Sequence, residues 1–428
     1  MPELNLFTQY DRNTRQKMCL KSWLLNNLRG TVEASTGFGK TRVALNAIKL
    51  LLEHYPNYKF IVVVPTDTLK EQWLGHIDSW GFGLNAEVVI INSLIKKNWD
   101  CDVLIIDEVH RMASAEFSKI FDVVKYKYIL GLTATFERLD GKHELLAKYC
   151  PVVDSISSEE ALVNGWVSPF KEYLVLIDVD DIDKYKQYSK EFNEHFEFFN
   201  WDFKEAMACT GPRGFIKKIE IRDRLAPKNA SKEELSSILK KITIHSAGFN
   251  RMMNARKQFI NYHPKKIDIV RKIMDARPNS KIITFSNNVA MAEKIEGGKF
   301  VYSGQDSKKK GRIKIEEFQK ATSGHLHTIR KADEGLDIKG LSIAIILGLD
   351  SSKTKATQRR GRAIRFEEGK NAEIFNIVIN NTVECEWFKN SHKGDKYITI
   401  DEKGLEQVLK GEEPTEYKKP VQRFTFRY

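Results

Sequence analysis

The stretch Ala34-Ser35-Thr36-Gly37-Phe38-Gly39-Lys40-Thr41 decides how this chain is read. Its glycines, lysine and hydroxyls have the spacing of a phosphate-binding loop. In such a loop backbone N–H groups cradle phosphates, the lysine reaches the β/γ-phosphates and a hydroxyl binds Mg²⁺. The residues before it, 31–34, predict a strand, and those after it, 41–52, predict a helix.

Two further segments extend the set. Asp107-Glu108-Val109-His110 follows the apolar run 103–106, which puts two carboxylates at the carboxyl end of a buried strand, where open parallel sheets bind ligands. A helix-capping pair is the plain alternative, and the upstream loop argues against it. Far downstream, Gln358-Arg359-Arg360-Gly361-Arg362-Ala363-Ile364-Arg365 spaces Gln358, Arg362 and Arg365 by four and three, one face of a helix, while Arg359 and Arg360 point elsewhere. A solvated basic helix would share that spacing. Taken with the other two segments, it predicts an arginine finger reaching the γ-phosphate from a second lobe, and so an ATP-hydrolysing motor.

A chain of 428 residues exceeds one ordinary core and suggests two lobes with an addition. Its net charge of +12, from 69 Lys and Arg against 57 Asp and Glu, favours a polyanionic partner. Cys19, Cys101, Cys150, Cys209 and Cys385 are odd in number and lack paired metal-ligand spacing, which points to a reducing compartment. No apolar run approaches the roughly 18 residues that span a bilayer, and the N-terminus lacks an apolar signal core, so a cytoplasmic protein without a membrane partner is expected.

Apolar β-branched runs at 31–34, 60–64, 88–91, 103–106 and 129–132 alternate with helical stretches, the pattern of a buried parallel sheet with crossover helices. A second such block has strands expected at 282–285, 300–302, 327–329, 343–347 and 374–379. Between them, from about 180 to 261, the periodicity is helical and the composition turns basic and aromatic, as in Phe196-Glu197-Phe198-Phe199-Asn200-Trp201. The fold class is therefore α/β, with two RecA-like lobes and a mainly helical inserted module. The expected division is 1–170 for the ATP-binding lobe, 171–265 for a thumb-like basic insert, and 266–428 for the second lobe with a C-terminal extension. In that extension 397–400 and 422–428 are expected as strands and 405–409 as a helix.

On these motifs the chain resembles the superfamily 2 DExH-box helicases and translocases over roughly residues 15–365. Within that superfamily the likeness is to compact phage branch-migration helicases of the UvsW type and their XPB-like relatives. The family form AxxGxGKT is met by residues 34–41, with alanine where other phosphate loops carry glycine, and QxxGRxxR by 358–365. The resemblance implies that Ser35, Thr36, Gly37, Phe38, Gly39 and Lys40 hold the nucleotide. It has Thr41 and Asp107 hold Mg²⁺, Glu108 activate water, His110 couple nucleotide state to the second lobe, and Gln358, Arg362 and Arg365 complete the site across the cleft. It also places Gln16 at adenine, makes 131–135 the link between hydrolysis and movement, and likens 331–337 to a motif in which Gly335 and Asp337 approach the nucleotide. A β-turn is the alternative for 131–135.

The implied partner is DNA, single-stranded or branched, bound largely without regard to sequence by a monomer. Thr66 leads the strand-associated hydroxyl candidates for the backbone; Ser93, Thr284, Ser286 and Thr328 are similar by position, with ordinary turn or sheet residues as the alternative, and Lys217, Lys218, Arg222 and Arg224 form the insert's basic face. Arg256 belongs to the same basic set, while most insert aromatics are expected to form its own core. The resulting expectation is an ATP-dependent DNA helicase or translocase remodelling branched DNA. An RNA helicase, a restriction-complex motor and a nonhydrolysing ATP-gated clamp are the alternatives.

Overall fold

The computed structural model describes residues 10–114, 116–137, 141–211, 213–286, 291, 294–295, 300–302, 308–329, 338–349, 353–363, 365 and 367–418. Of these, 300–302, 308–310, 312, 329, 353–355 and 362 are described by their backbone alone. Gly335 and Asp337, the neighbouring 330–334, and the strand expected at 422–428 lie outside the described residues, as does the side chain of Arg362.

The first lobe is a six-stranded parallel sheet. Its strands are β1 (Arg29–Ala34), β2 (Phe60–Val64), β3 (Ala86–Ile90), β5 (Val103–Asp107), β7 (Tyr128–Thr133) and β8 (Val152–Ile156), and two short strands, β4 (Trp99–Asp100) and β6 (Val124–Lys125), pair beside it. The sheet order is β3-β2-β5-β7-β1-β8. Phe60-Ile61-Val62-Val63-Val64 is buried at every position, because crossover helices cover both faces. The helix Lys40–His54 packs Val43, Ala44, Ala47, Ile48 and Leu51 into that core. The edge strand β8 is only partly buried, and its Val-Val-Asp-Ser-Ile gives little apolar signal, which is why sequence reasoning passed over it.

The second lobe is a seven-stranded sheet built from β9 (Phe170–Ile177), β10 (Lys281–Ser286), β11 (Phe300–Tyr302), β12 (Gly324–Ile329), β13 (Leu341–Ile346), β14 (Ala372–Ile379) and β15 (Ile398–Ile400). The order is β11-β12-β10-β13-β14-β9-β15, with every pairing parallel. Strand β9 corrects the expected boundary at 171. It pairs along its whole length with β14, so the helical module does not separate two lobes but interrupts the second one between β9 and β10. The run Phe170-Lys171-Glu172-Tyr173-Leu174-Val175-Leu176-Ile177 is apolar enough for a central strand, yet it precedes all the second-lobe motifs and so was not assigned to them.

The module consists of helices Ile182–Glu197, Phe203–Ala208, Gly214–Leu225 and Lys232–Tyr262. The last begins with a capping box in which Ser231 and Glu234 satisfy each other's backbone N–H groups. Phe192, Phe196, Phe199 and Phe249 pack with Ile221, Ile242 and Met252 into a core of its own, as expected for most of its aromatics. At the C-terminal end, β15 and the helix Glu402–Lys410 lie at the second sheet's edge, where the extension was expected.

Lys266 and Glu384 are fully buried together at 2.6 Å, with Lys266 also donating to the Leu347 carbonyl and Glu384 accepting from the Ile379 N–H. Removing one member strands the other without water, whereas removing both does not. Lys266→Met alone is therefore expected to cost about 3–5 kcal/mol of unfolding free energy. Lys266→Met with Glu384→Leu should recover most of that loss, as read by urea unfolding of the three proteins.

Candidate active site

Because the first sheet is parallel, β1 and β5 end at the same edge, and the loop after β1 meets the acidic pair after β5. Gly37 and Gly39 have φ of 93° and 97°, a left-handed backbone that a side chain would strain. A Cβ on Gly39 would also lie 2.6 Å from Gln16 Nε2. Lys40 Nζ donates to the Ala34 carbonyl at 2.9 Å, which holds it over the loop.

Asp107 is buried at the end of β5. Its Oδ2 accepts a hydrogen bond from the Trp73 indole at 2.9 Å, and its Oδ1 accepts from the Glu108 N–H at 3.0 Å. Burial, and then the neighbouring Glu108 charge, push the Asp107 carboxyl up to about 6. Trp73, from helix Asp67–Ser79, was not found from sequence, since nothing in its local pattern separates an indole aimed at a carboxylate from one filling a core. Glu108 itself has φ of 53°, an uncommon backbone for a non-glycine residue and one that re-aims its carboxylate beyond the strand.

His110 lies behind this pair. Its Nδ1 is 3.0 Å from Thr133 Oγ1 and 3.4 Å from Glu108 Oε2. Thr133 Oγ1 in turn donates to the Thr135 carbonyl at 2.9 Å, so the threonine accepts from His110 Nδ1–H. The geometry thus joins Glu108, His110 and the 131–135 segment into one buried polar chain.

The two lobes face one another across a cavity of about 1170 Å³. Thr36, Gly37, Gly39, Lys40, Thr41, Asp107 and Glu108 line it from the first lobe, and Gln358 and Arg365 from the second. Arg12 and Lys339 also line it, and neither stands in a motif that sequence reasoning used. The helix Lys353–Ala363 comes so near the phosphate loop that a Cβ on Gly361 would lie 2.4 Å from Thr36 Cβ. Arg359 and Arg360 turn away from the cavity. Arg359 donates to the Gly348 carbonyl, and Arg360 is buried against Glu172 at 2.9 Å and Asp395 at 2.6 Å.

The residues present fit a nucleotide. Gln16 Oε1 and Ser35 Oγ are buried and make no hydrogen bond to the protein, an arrangement that is costly unless a ligand or water supplies partners. Gln16 Nε2 donates to the Phe38 carbonyl at 2.9 Å, which fastens it to the loop. Phe38 contributes backbone only, because its ring is fully buried against Trp166. Arg15 is occupied by ion pairs to Asp154 and Glu160 at 2.7 Å.

The nucleic-acid candidates separate into groups. Thr66 caps helix Asp67–Ser79, accepting from the Leu69 N–H at 3.3 Å, and Ser93 is exposed in the short helix Ile91–Leu94. Thr284, Ser286 and Thr328 are buried within the second sheet, in keeping with the alternative that they are ordinary sheet residues. Thr284 Oγ1 meets His325 Nε2 at 2.5 Å, and Thr328 Oγ1 donates to the Thr284 carbonyl at 3.2 Å. In the insert, Lys217, Arg222 and Arg224 pair with Glu220, Asp223 and Glu205, leaving a less positive face than composition implies. Arg256 is buried over the Phe192 ring and hydrogen-bonds the Tyr185 hydroxyl, so it serves the module's packing.

Residues 9–98 and 83–138 match the family described as Type III restriction enzyme, res subunit, and residues 265–367 match the Helicase conserved C-terminal domain. The DNA 3'-5' translocase XPB2 of Sulfurisphaera tokodaii is 27% identical over 388 residues, covering 86% of this chain and 82% of the relative. Among solved structures, the Hef helicase domain of Pyrococcus furiosus superposes with a TM-score of 0.53 at 16% identity, over 90% of this chain and 98% of that one. Dbp5 of S. cerevisiae, bound to RNA and ADP BeF3, gives a TM-score of 0.57 at 13% identity, over 92% of this chain and 91% of that one. The paired family matches, one on each side of a cavity lined by the phosphate loop, the acidic pair and the arginine helix, place the chain in superfamily 2 of the helicases and translocases, as an ATP hydrolase.

Proposed function

We propose that this protein is a DExH-box DNA translocase or helicase that uses Mg²⁺-ATP to remodel branched DNA, acting as a monomer in the cytoplasm. The observation that carries the motor reading is the single cavity shared by Lys40, Asp107 and Glu108 from one lobe and Gln358 and Arg365 from the other. Lys40 would offset phosphate charge, and Thr41 with Asp107 would hold Mg²⁺. Glu108, 3.4 Å from His110, would orient water, and Arg365, joined by Arg362 in the family pattern, would balance charge in the transition state. DNA as the track is supported by the translocase relative and by the net charge of +12. Five buried, unpaired cysteines are in keeping with a reducing compartment, and no helix among the described residues is long and apolar enough to cross a membrane.

Branched DNA as the preferred substrate is our reading of a four-helix module set into the second lobe beside a motor whose ATP cavity does not use it. ATPase stimulation by single-stranded, linear duplex and four-way DNA and by RNA tests this directly. Four-way DNA should stimulate most, and greater stimulation by RNA would overturn the DNA assignment.

Lys40→Ala and Glu108→Gln should both abolish turnover for different reasons. Nucleotide affinity should fall in the first and persist in the second, as measured with a fluorescent ATP analogue. Parent-rate hydrolysis by Glu108→Gln would remove Glu108 from the chemistry.

The Asp107 carboxyl binds a cation only when ionised. With that group at about 6, ATPase at subsaturating Mg²⁺ should be sustained above this pH and fall as pH drops through it. The Trp73 N–H favours the ionised form, so Trp73→Phe should move the fall to higher pH, as read in the pH profile of the Mg²⁺ dependence.

Neutralising Lys217, Lys218, Arg222 and Arg224 together should weaken four-way DNA binding more than linear duplex binding, make the salt dependence shallower, and leave DNA-free ATPase intact. A salt series on both substrates measures this, and equal weakening would mean a general grip.

A further inference from the structure

We infer that the segment joining the two lobes, Trp166-Val167-Ser168, is a strut that fixes Arg365 against the phosphate loop, with Ser168 as a positioning residue. The inference rests on the assignment of Arg365 to the ATP site. On the first-lobe side the Trp166 ring lies 5.3 Å from that of Phe38, and Arg12 donates to the Trp166 carbonyl at 2.6 Å. Val167 packs under Gly37, close enough that a Cβ there would be 3.2 Å from Val167 Cγ1.

On the second-lobe side Val167 forms an antiparallel bridge with Arg365. Ser168 Oγ donates to the Arg365 carbonyl at 2.9 Å and accepts from the Glu367 N–H at 3.1 Å. Ser168 is completely buried, and its hydroxyl holds the backbone of Arg365, a residue that lines the ATP cavity. Three consecutive residues therefore touch the loop that takes the phosphates and the chain that carries the finger. Phe38, Trp166, Val167, Leu174 and Leu176 belong to one apolar core, so the joint is a packed element and not a slack tether. A finger acts on charge that appears only in the transition state, and misplacement by about 1 Å can cost on the order of a hundredfold in rate.

The test is a double-mutant cycle in the full chain, with Ser168→Ala and Val167→Ala each made in the parent and in Arg365→Ala. DNA-stimulated kcat, nucleotide affinity and thermal unfolding are measured for every variant. Ser168→Ala is expected to lower kcat roughly five- to thirtyfold while nucleotide affinity stays near the parental value and the melting temperature falls by no more than a few degrees, the cost of leaving the Glu367 N–H without its acceptor. Neither substitution should lower kcat further once Arg365 is Ala. A parental kcat in Ser168→Ala, or the same proportional loss with and without Arg365, would overturn the inference, as would nucleotide affinity and melting temperature falling together with kcat. If Ser168→Ala does not fold, Val167→Ala carries the same decision through a smaller change. Parental turnover in Arg365→Ala alone would show that the site assignment itself had failed, a result distinct from an intact finger that ignores the strut.

Discussion

Thr36 and Gly361 meet across the cleft so closely that any side chain at Gly361 would have to displace the phosphate loop or the arginine helix. This approach defines the geometry of the active cavity. It brings Gln358 and Arg365 to the same space as Lys40, Asp107 and Glu108, although more than 200 residues separate them in the chain. Parallel pairing contributes the other half of the arrangement, because β1 and β5 must end at one edge and so deliver the loop and the acidic pair to one place.

The second lobe supports that approach with buried charge. Arg360 sits within the arginine helix but points into the lobe, where Glu172 and Asp395 hold it; Glu172 also accepts from Asn376 and contacts His392. The Arg360 charge and the bonds to His392 and Asn376 hold the buried Glu172 carboxyl below its ordinary value against the opposing effect of desolvation. An ion network of this kind demands one geometry, since a slipped helix would leave a charge without water or partner. Lys266 with Glu384 fixes the helix after the insert to the chain beyond β14 in the same way.

The helical module is an independent packing unit within that lobe. Its aromatics are largely used up in its own core, and several of its cations are paired locally. Phe215 and Ile216 remain well exposed beside Lys217 and Lys218 on helix Gly214–Leu225, so the face retains apolar and basic character together.

Local sequence carried most of the elements and the motifs that line the cavity between the lobes. The phosphate-loop spacing, the acidic pair after a β-branched run and the four-and-three spacing of Gln358, Arg362 and Arg365 are short-range patterns, and each expresses a backbone or side-chain requirement met within one turn or one strand. Thr284, Ser286 and Thr328 stayed open to two readings in the sequence because their hydroxyls suit a phosphate contact as well as a sheet interior, and burial is a tertiary property. Tertiary structure alone decided that β9 joins the second sheet, that Trp73 grips Asp107, and that Ser168 holds the backbone of Arg365. Those contacts join residues 34 to 202 positions apart, and no local propensity encodes which distant partner a strand edge, an indole or a hydroxyl will find once the lobes have packed.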